Sequence, residues 1–139
     1  MPESTIKILI VDDSMFMRHI IRNHLLKMGY PNVSEAADGR GALAVMRRQE
    51  IDIVISDWCM PGMHGIDLLK AIRADQTLHN TPFIMLTAEA QPHLVKDALA
   101  AKVSAYITKP FTSADLREEL DRVTLISGKQ KIDNPPQFI

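Results

Sequence analysis

Residues 8–14 read Ile-Leu-Ile-Val-Asp-Asp-Ser, a run of branched apolar residues that ends in two adjacent acids and a serine. Such a run is typical of a strand buried on both faces, and Ser14 is a good N-cap for a following helix. Apolar residues then recur at helical spacing, at Met17, Ile20, Ile21, Leu25 and Met28. The stretch therefore predicts a strand, a turn that carries two carboxylates, and an amphipathic helix.

The same alternation of strand and helix continues almost to the end of the chain. Further apolar runs, each a predicted strand, lie at residues 51–56, 82–86 and 105–108, and residues 33–37 are a weaker strand candidate. Predicted helices follow them at residues 41–48, 66–74, 94–101 and 113–126. Near-continuous apolar strands indicate a parallel sheet covered on both faces, and right-handed crossovers make it an open, doubly wound α/β fold. For five units, the flavodoxin-like strand order 2-1-3-4-5 with five flanking helices is the leading choice.

Composition excludes several classes of protein. The chain has 139 residues, and its 16 Lys and Arg against 17 Asp and Glu give a net charge of −1. This balance argues against nucleic-acid binding. The single cysteine, Cys59, excludes an internal disulfide and a cysteine-rich zinc site. With neither a signal peptide nor an apolar run of about 18 residues, we expect a soluble, cytoplasmic monomer without membrane insertion.

Acidic side chains flank the point where the predicted strand order reverses. Asp12 and Asp13 follow the first strand, and Asp57 follows the third. Open α/β sheets bind ligands at this point, outside the carboxyl ends of the strands. Three carboxylates there repel one another unless a cation lies among them, and an incomplete all-oxygen set suits Mg²⁺ better than Ca²⁺.

The fourth and fifth strands end in groups that complement these carboxylates. Thr87 brings a hydroxyl and Lys109 an ammonium. A metal ion, a hydroxyl and an ammonium around one carboxylate form a receptacle for a phosphoryl group, and the carboxylate itself can be the nucleophile. Each residue also has a simpler interpretation on its own: helix-capping acids, a turn aspartate, a strand-end threonine and a surface lysine.

Taken together, these motifs resemble the receiver domain of two-component response regulators. The resemblance covers about residues 6–126 and is closest to the stand-alone chemotaxis regulators of that family. It leaves residues 1–5 as an N-terminal extension and 127–139 as a flexible tail, with a docking peptide as the alternative for the tail. The matching motifs are Asp12-Asp13, Asp57 with Met60-Pro61 and Gly65, Thr87-Ala88 and Lys109-Pro110-Phe111.

The resemblance implies a role for each acidic residue. Asp57 would accept a phosphoryl group from a histidine kinase of the chemotaxis type. Mg²⁺ would be bound by Asp13, Asp57 and the backbone carbonyl of Cys59 directly, and by Asp12 through water. Lys109 would pair with the phosphoryl oxygens, and its peptide bond to Pro110 would be cis.

The resemblance also implies a switch. Thr87 would move inward to the phosphoryl group, and the Tyr106 ring would turn from an exposed to a buried rotamer in the space that Thr87 vacates. This motion would change the face formed by the fourth helix, fifth strand and fifth helix, where a flagellar motor switch protein would dock. A dedicated phosphatase is a further implied partner, and the chain would catalyse only its own phosphorylation and dephosphorylation.

Three residues depart from the pattern of the close relatives. Cys59 stands where they often carry Asn, and its side chain is expected to border the path of the hydrolytic water, which leaves the phosphoryl lifetime open. His64 replaces a usual acid. Lys102 stands where Gly commonly ends a helix, which predicts a left-handed lysine.

Other functions compete with a receiver. A magnesium-dependent phosphatase with an aspartyl nucleophile has the same fold class, but such enzymes space two aspartates two residues apart after the first strand, whereas Asp12 and Asp13 are adjacent. A flavin-binding protein needs a Ser-, Thr- and Gly-rich phosphate loop at that place. Within the receiver class, a phosphorelay or pilus system is the alternative to chemotaxis.

Overall fold

The computed structural model describes residues 4–88 and 92–127. The strands are β1 (Ile8–Val11), β2 (Val33–Ala36), β3 (Ile53–Asp57), β4 (Phe83–Thr87) and β5 (Ala105–Thr108). The helices are α1 (Met15–Lys27), α2 (Gly39–Arg48), α3 (Gly65–Ala74), α4 (Pro92–Ala100) and α5 (Ser113–Ser127). All strand pairs are parallel and the order is β2-β1-β3-β4-β5, so the predicted fold class and topology are confirmed.

The sheet carries an apolar core on each face. In β1, Ile8 and Ile10 pack into one core with α1 and α5, whereas Leu9 and Val11 pack into the other with α2 and α3. Successive side chains of a strand point to opposite faces. A strand covered on both sides must therefore be apolar at every position, which is the pattern that residues 8–11 display.

The register of the strands sets the positions of the acidic residues. Val11 of β1 lies beside Ser56 of β3. The residues that follow, Asp12 and Asp57, therefore leave the sheet side by side. On the other side of β3, Asp57 pairs with Leu86, and Thr87 pairs with Thr108. The carboxyl ends of β1, β3, β4 and β5 consequently meet at one edge of the sheet.

Several element boundaries differ from the predicted ones by one or two residues. α2 begins at Gly39 because the Asp38 side chain caps it, accepting a hydrogen bond from Gly41 N at 2.7 Å. α4 begins at Pro92, since proline suits the first position of a helix. The predicted cap of α1 is confirmed, with Ser14 Oγ accepting from Met17 N at 3.2 Å. The predicted tail lies almost wholly outside the described residues.

No helix in the described part of the chain has the length and apolarity needed to cross a membrane.

The end of α4 contains the only non-glycine residue with positive φ in the described ranges. Lys102 has φ 63°, as predicted. Lys102 N donates to Leu99 O and Val103 N to Ala98 O, both at 3.0 Å. This is the Schellman arrangement, in which the left-handed position is normally glycine. The backbone of Lys102 is therefore held in a conformation that is costly for a residue with a Cβ atom.

We expect the Lys102→Gly variant to be more stable than Lys102→Ala by about 1 kcal/mol, because only glycine adopts positive φ without a steric penalty. Both variants lose the same ammonium, so their difference isolates the backbone. Urea unfolding curves of the two variants measure it. Equal midpoints would show that the left-handed conformation costs nothing here.

Candidate functional site

Three carboxylates converge where β1 and β3 end. One oxygen from each of Asp12, Asp13 and Asp57 lies within 4.8 Å of the other two. Asp12 and Asp57 are buried, whereas Asp13 is exposed. The sequence predicted this juxtaposition, and it follows from the strand register described above. The arrangement concentrates negative charge in a largely desolvated place.

Lys109 is the cation that faces this cluster. Its Nζ donates to Asp57 Oδ1 at 2.8 Å and lies 4.0 Å from Asp12 Oδ2. The backbone N of Lys109 donates to the Thr87 carbonyl at 2.7 Å, which fixes the chain at the end of β5. The Lys109–Pro110 peptide bond is cis, as predicted. The lysine is thus a half-buried member of the site and not a free surface residue.

Asp12 has one satisfied and one unsatisfied oxygen. Its Oδ1 accepts from Ser14 N at 2.8 Å. Its Oδ2 is buried and receives no hydrogen bond from any residue in the described ranges. Burial raises the pKa of Asp12, the Ser14 hydrogen bond opposes that effect, and the charge of Asp57 adds to it. A buried carboxylate oxygen without a donor, within an all-oxygen set, fits a hard divalent cation such as Mg²⁺.

Two arginines of α1 support the acidic turn. Arg18 Nη1 donates to the Asp12 carbonyl at 2.5 Å, and Arg18 Nε donates to Glu35 of β2 at 2.9 Å. Arg22 pairs with the other oxygen of Glu35. This support was not predicted from the sequence. Its signal was two arginines four residues apart on one helix face, together with a single acid in β2.

The loop from β3 to α3 approaches the site closely. Trp58 N donates to the Leu86 carbonyl and Gly65 N to the Trp58 carbonyl, each at 2.8 Å. A Cβ at position 65 would lie 2.3 Å from the Asp57 carbonyl oxygen. Gly65 is therefore required here because no side chain fits between α3 and the Asp57 carbonyl. Cys59, in the same loop, is exposed.

The predicted switch residues lie on neighbouring strands. Thr87 is buried at the end of β4. Tyr106, on β5, is half-buried and packs against the core that contains α2 and α3. The roles of both residues stay predictions.

Comparison with known proteins identifies the class. Residues 8–121 match the family model described as the response regulator receiver domain, and the chain belongs to this family of signalling proteins. Among its relatives, the chemotaxis protein CheY-3 of Vibrio cholerae is 50% identical over 117 residues, which are 84% of this chain and 90% of that protein. The chemotaxis protein CheY of Pseudomonas aeruginosa is 46% identical over 117 residues, 84% of this chain and 94% of that protein. The chain is therefore a receiver domain of the CheY type.

Solved structures agree with this placement. The Vibrio cholerae chemotaxis protein CheY4, crystallised at low pH, superposes with a TM-score of 0.79 at 39% identity, over 85% of this chain and 98% of the other. The signal receiver domain of a signal transduction histidine kinase from Syntrophus aciditrophicus gives a TM-score of 0.80 at 29% identity, over 95% and 98%. The fold is therefore shared with CheY and with a receiver of different origin.

We expect Gly65→Ala to lower the free energy of unfolding by about 2–3 kcal/mol, because the new methyl group meets the Asp57 carbonyl and the Met85 sulfur at 2.3 and 2.9 Å. Gly62→Ala is the matched control. Gly62 has φ +77° and open space around its Cα, so only a backbone cost of about 1 kcal/mol applies. Urea unfolding measures both, and equal losses would mean that the close approach at Gly65 is unimportant.

Proposed function

We propose that this chain is a phosphorylation-activated signalling switch that accepts a phosphoryl group on Asp57 from a histidine kinase of the chemotaxis type. The observation that carries the proposal is the 2.8 Å contact of Lys109 Nζ with Asp57 inside a cluster of three carboxylates. An ammonium beside a buried carboxylate is poised to neutralise the charge that a phosphoryl group brings. The family and the CheY relatives support the same function.

Asp13 and Asp57, with the carbonyl of Cys59, would hold Mg²⁺ directly, and Asp12 would hold it through water. When bound, the ion would neutralise carboxylate and phosphoryl charge at the site. The unsatisfied oxygen of Asp12 supports this proposal, because a cation relieves both its missing partner and the repulsion from Asp57.

In the proposed transfer, a carboxylate oxygen of Asp57 attacks the phosphorus of a phosphohistidine. The new O–P bond makes an acyl phosphate as the P–N bond breaks, and the departing imidazole nitrogen keeps the electron pair. Lys109 then pairs with phosphoryl oxygens instead of the carboxylate. A water molecule that reaches the site beside the exposed Cys59 later hydrolyses the acyl phosphate and regenerates the Asp57 carboxylate. The chain therefore modifies only itself and turns over no separate substrate.

The output proposed here is a changed docking face on α4, β5 and α5. Thr87 is drawn toward the phosphoryl group and Tyr106 turns inward, which biases a two-state surface. The relatives named chemotaxis proteins favour a flagellar motor switch protein as the partner over a phosphorelay or pilus system. A dedicated phosphatase would reset the switch.

We propose residues 6–126 as the signalling unit. Ile6 is buried in the core shared with α1 and α5, and the family match spans residues 8–121.

The first test uses Trp58, the only tryptophan, next to Asp57. Its fluorescence should change in a saturable way on addition of Mg²⁺ and again on addition of acetyl phosphate. In Asp57→Asn the second change should be abolished, because an amide cannot form the acyl phosphate. Asp121→Asn, on an exposed position of α5, should respond like the parent chain. A phosphodonor response that persists in Asp57→Asn would move the acceptor elsewhere.

A second test removes one metal ligand. Asp13→Ala should weaken Mg²⁺ binding about tenfold or more while the domain stays folded, because Asp13 is exposed and outside both cores. Without Mg²⁺ the variant should be at least as stable as the parent, since one repulsive carboxylate is gone. Fluorescence titration and urea unfolding measure the two effects, with Asp121→Ala as the control. Unchanged Mg²⁺ affinity would remove Asp13 from the site.

A further inference from the structure

A basic cleft opens at the edge of the sheet opposite Asp57. Helices that follow parallel strands return to the amino-terminal edge, so the ends of α3 and α4 and the segment before β4 meet there. The cleft has a volume of about 520 Å³. Its polar lining residues are Lys70, Arg73, His79, Asn80 and Lys102.

The charge of this cleft has one sign. Lys70 and Lys102 are exposed and line the cleft. The His79 imidazole and the Asn80 amide line it as well. Among the described residues that line the cleft, none is acidic. Since the whole chain has a net charge of −1, this local concentration of cations does not reflect a generally basic surface.

Arg73 fixes the shape of the cleft. Its Nε and Nη2 donate to the Lys102 carbonyl at 3.1 and 2.9 Å, and its Nη1 donates to the carbonyls of His79 and Thr81 at 3.0 and 2.6 Å. One guanidinium therefore ties the end of α4 and the segment before β4 to α3. Because its donors are engaged with backbone, Arg73 is a structural clamp and Lys70 and Lys102 carry the accessible charge.

Lys102 also differs from the other cleft residues in its backbone conformation. Its left-handed conformation, φ 63°, is one that glycine adopts without penalty. The chain nevertheless carries a lysine there, and that lysine lies on the rim of the cleft.

We propose that this cleft binds an acidic peptide segment of a partner protein. Spaced lysines and an amide suit carboxylates distributed along an extended chain, and Ala74, Ala100 and Ala101 leave shallow apolar contact between them. A compact phosphate group fits less well. The Arg73 guanidinium, which would bind phosphate with two parallel donors, is already engaged with backbone carbonyls.

This inference goes beyond the phosphorylation switch and does not depend on it. The cleft lies at the other edge of the sheet, and its binding should be the same in Asp57→Asn as in the parent chain.

The test uses a fluorescein-labelled peptide of alternating glutamate and leucine, with a glutamine-and-leucine peptide as its matched probe. Fluorescence anisotropy should detect saturable binding of the glutamate peptide only, and added NaCl should weaken it. The double variant Lys70→Gln/Lys102→Ala should bind about tenfold more weakly. Lys27→Gln, on α1 at the other face of the sheet, should bind like the parent.

Two further measurements test whether lost binding reflects lost charge or lost stability, and whether a small anion occupies the cleft. Lys102→Ala and Lys102→Gly should weaken binding equally although they differ in stability, because both lose the same ammonium. Inorganic phosphate should compete no better than NaCl at equal ionic strength. The proposal is overturned by absent binding of the glutamate peptide, by equal binding of the glutamine peptide or of the double variant, or by stronger competition from phosphate.

Discussion

The ammonium of Lys109 faces more negative charge than it can neutralise, and the site is built around that imbalance. At an effective dielectric constant of about 20, unit charges about 4 Å apart interact by about 4 kcal/mol. Asp12, Asp13 and Asp57 make three repulsive pairs, whereas Lys109 lies within 4.0 Å of only two of the three carboxylates. With its carboxylates ionised the cluster therefore keeps a net negative charge, and a divalent cation gains from every carboxylate that it approaches.

Such a cluster needs a scaffold that does not relax. β1 and β3 are buried along their whole length, so neither strand end can shift without opening a core. Arg18 holds the carbonyl of Asp12, and Gly65 lets α3 begin against the carbonyl of Asp57. The free energy that keeps the carboxylates together thus comes from apolar packing several residues away. A metal ion or phosphoryl group would therefore meet a site that is already assembled.

The sheet and the residues at the strand ends are predictable from the sequence for one physical reason. Parallel strands buried on both faces are mostly apolar, so each run ends where polarity returns, and Asp12, Asp57 and Lys109 lie at those ends or next to them. The pairing of Arg18 and Arg22 with Glu35 was not predictable in this way, because it joins half-buried polar residues of different elements, 17 and 13 positions apart in the chain. Periodicity specifies which face of a helix is buried but not which polar partner it meets.

The topology places opposite charges at the two edges of the sheet. Strands bring the acids to one edge, and the returning helices bring Lys70, Arg73 and Lys102 to the other. Since the edges are separated by the length of the strands, the screening of salt largely uncouples their charges. A change of charge at Asp57 therefore has little direct electrostatic effect on the basic edge. What the basic edge does depend on is Arg73, which joins α3 to the end of α4 and so fixes the positions of Lys70 and Lys102 relative to each other.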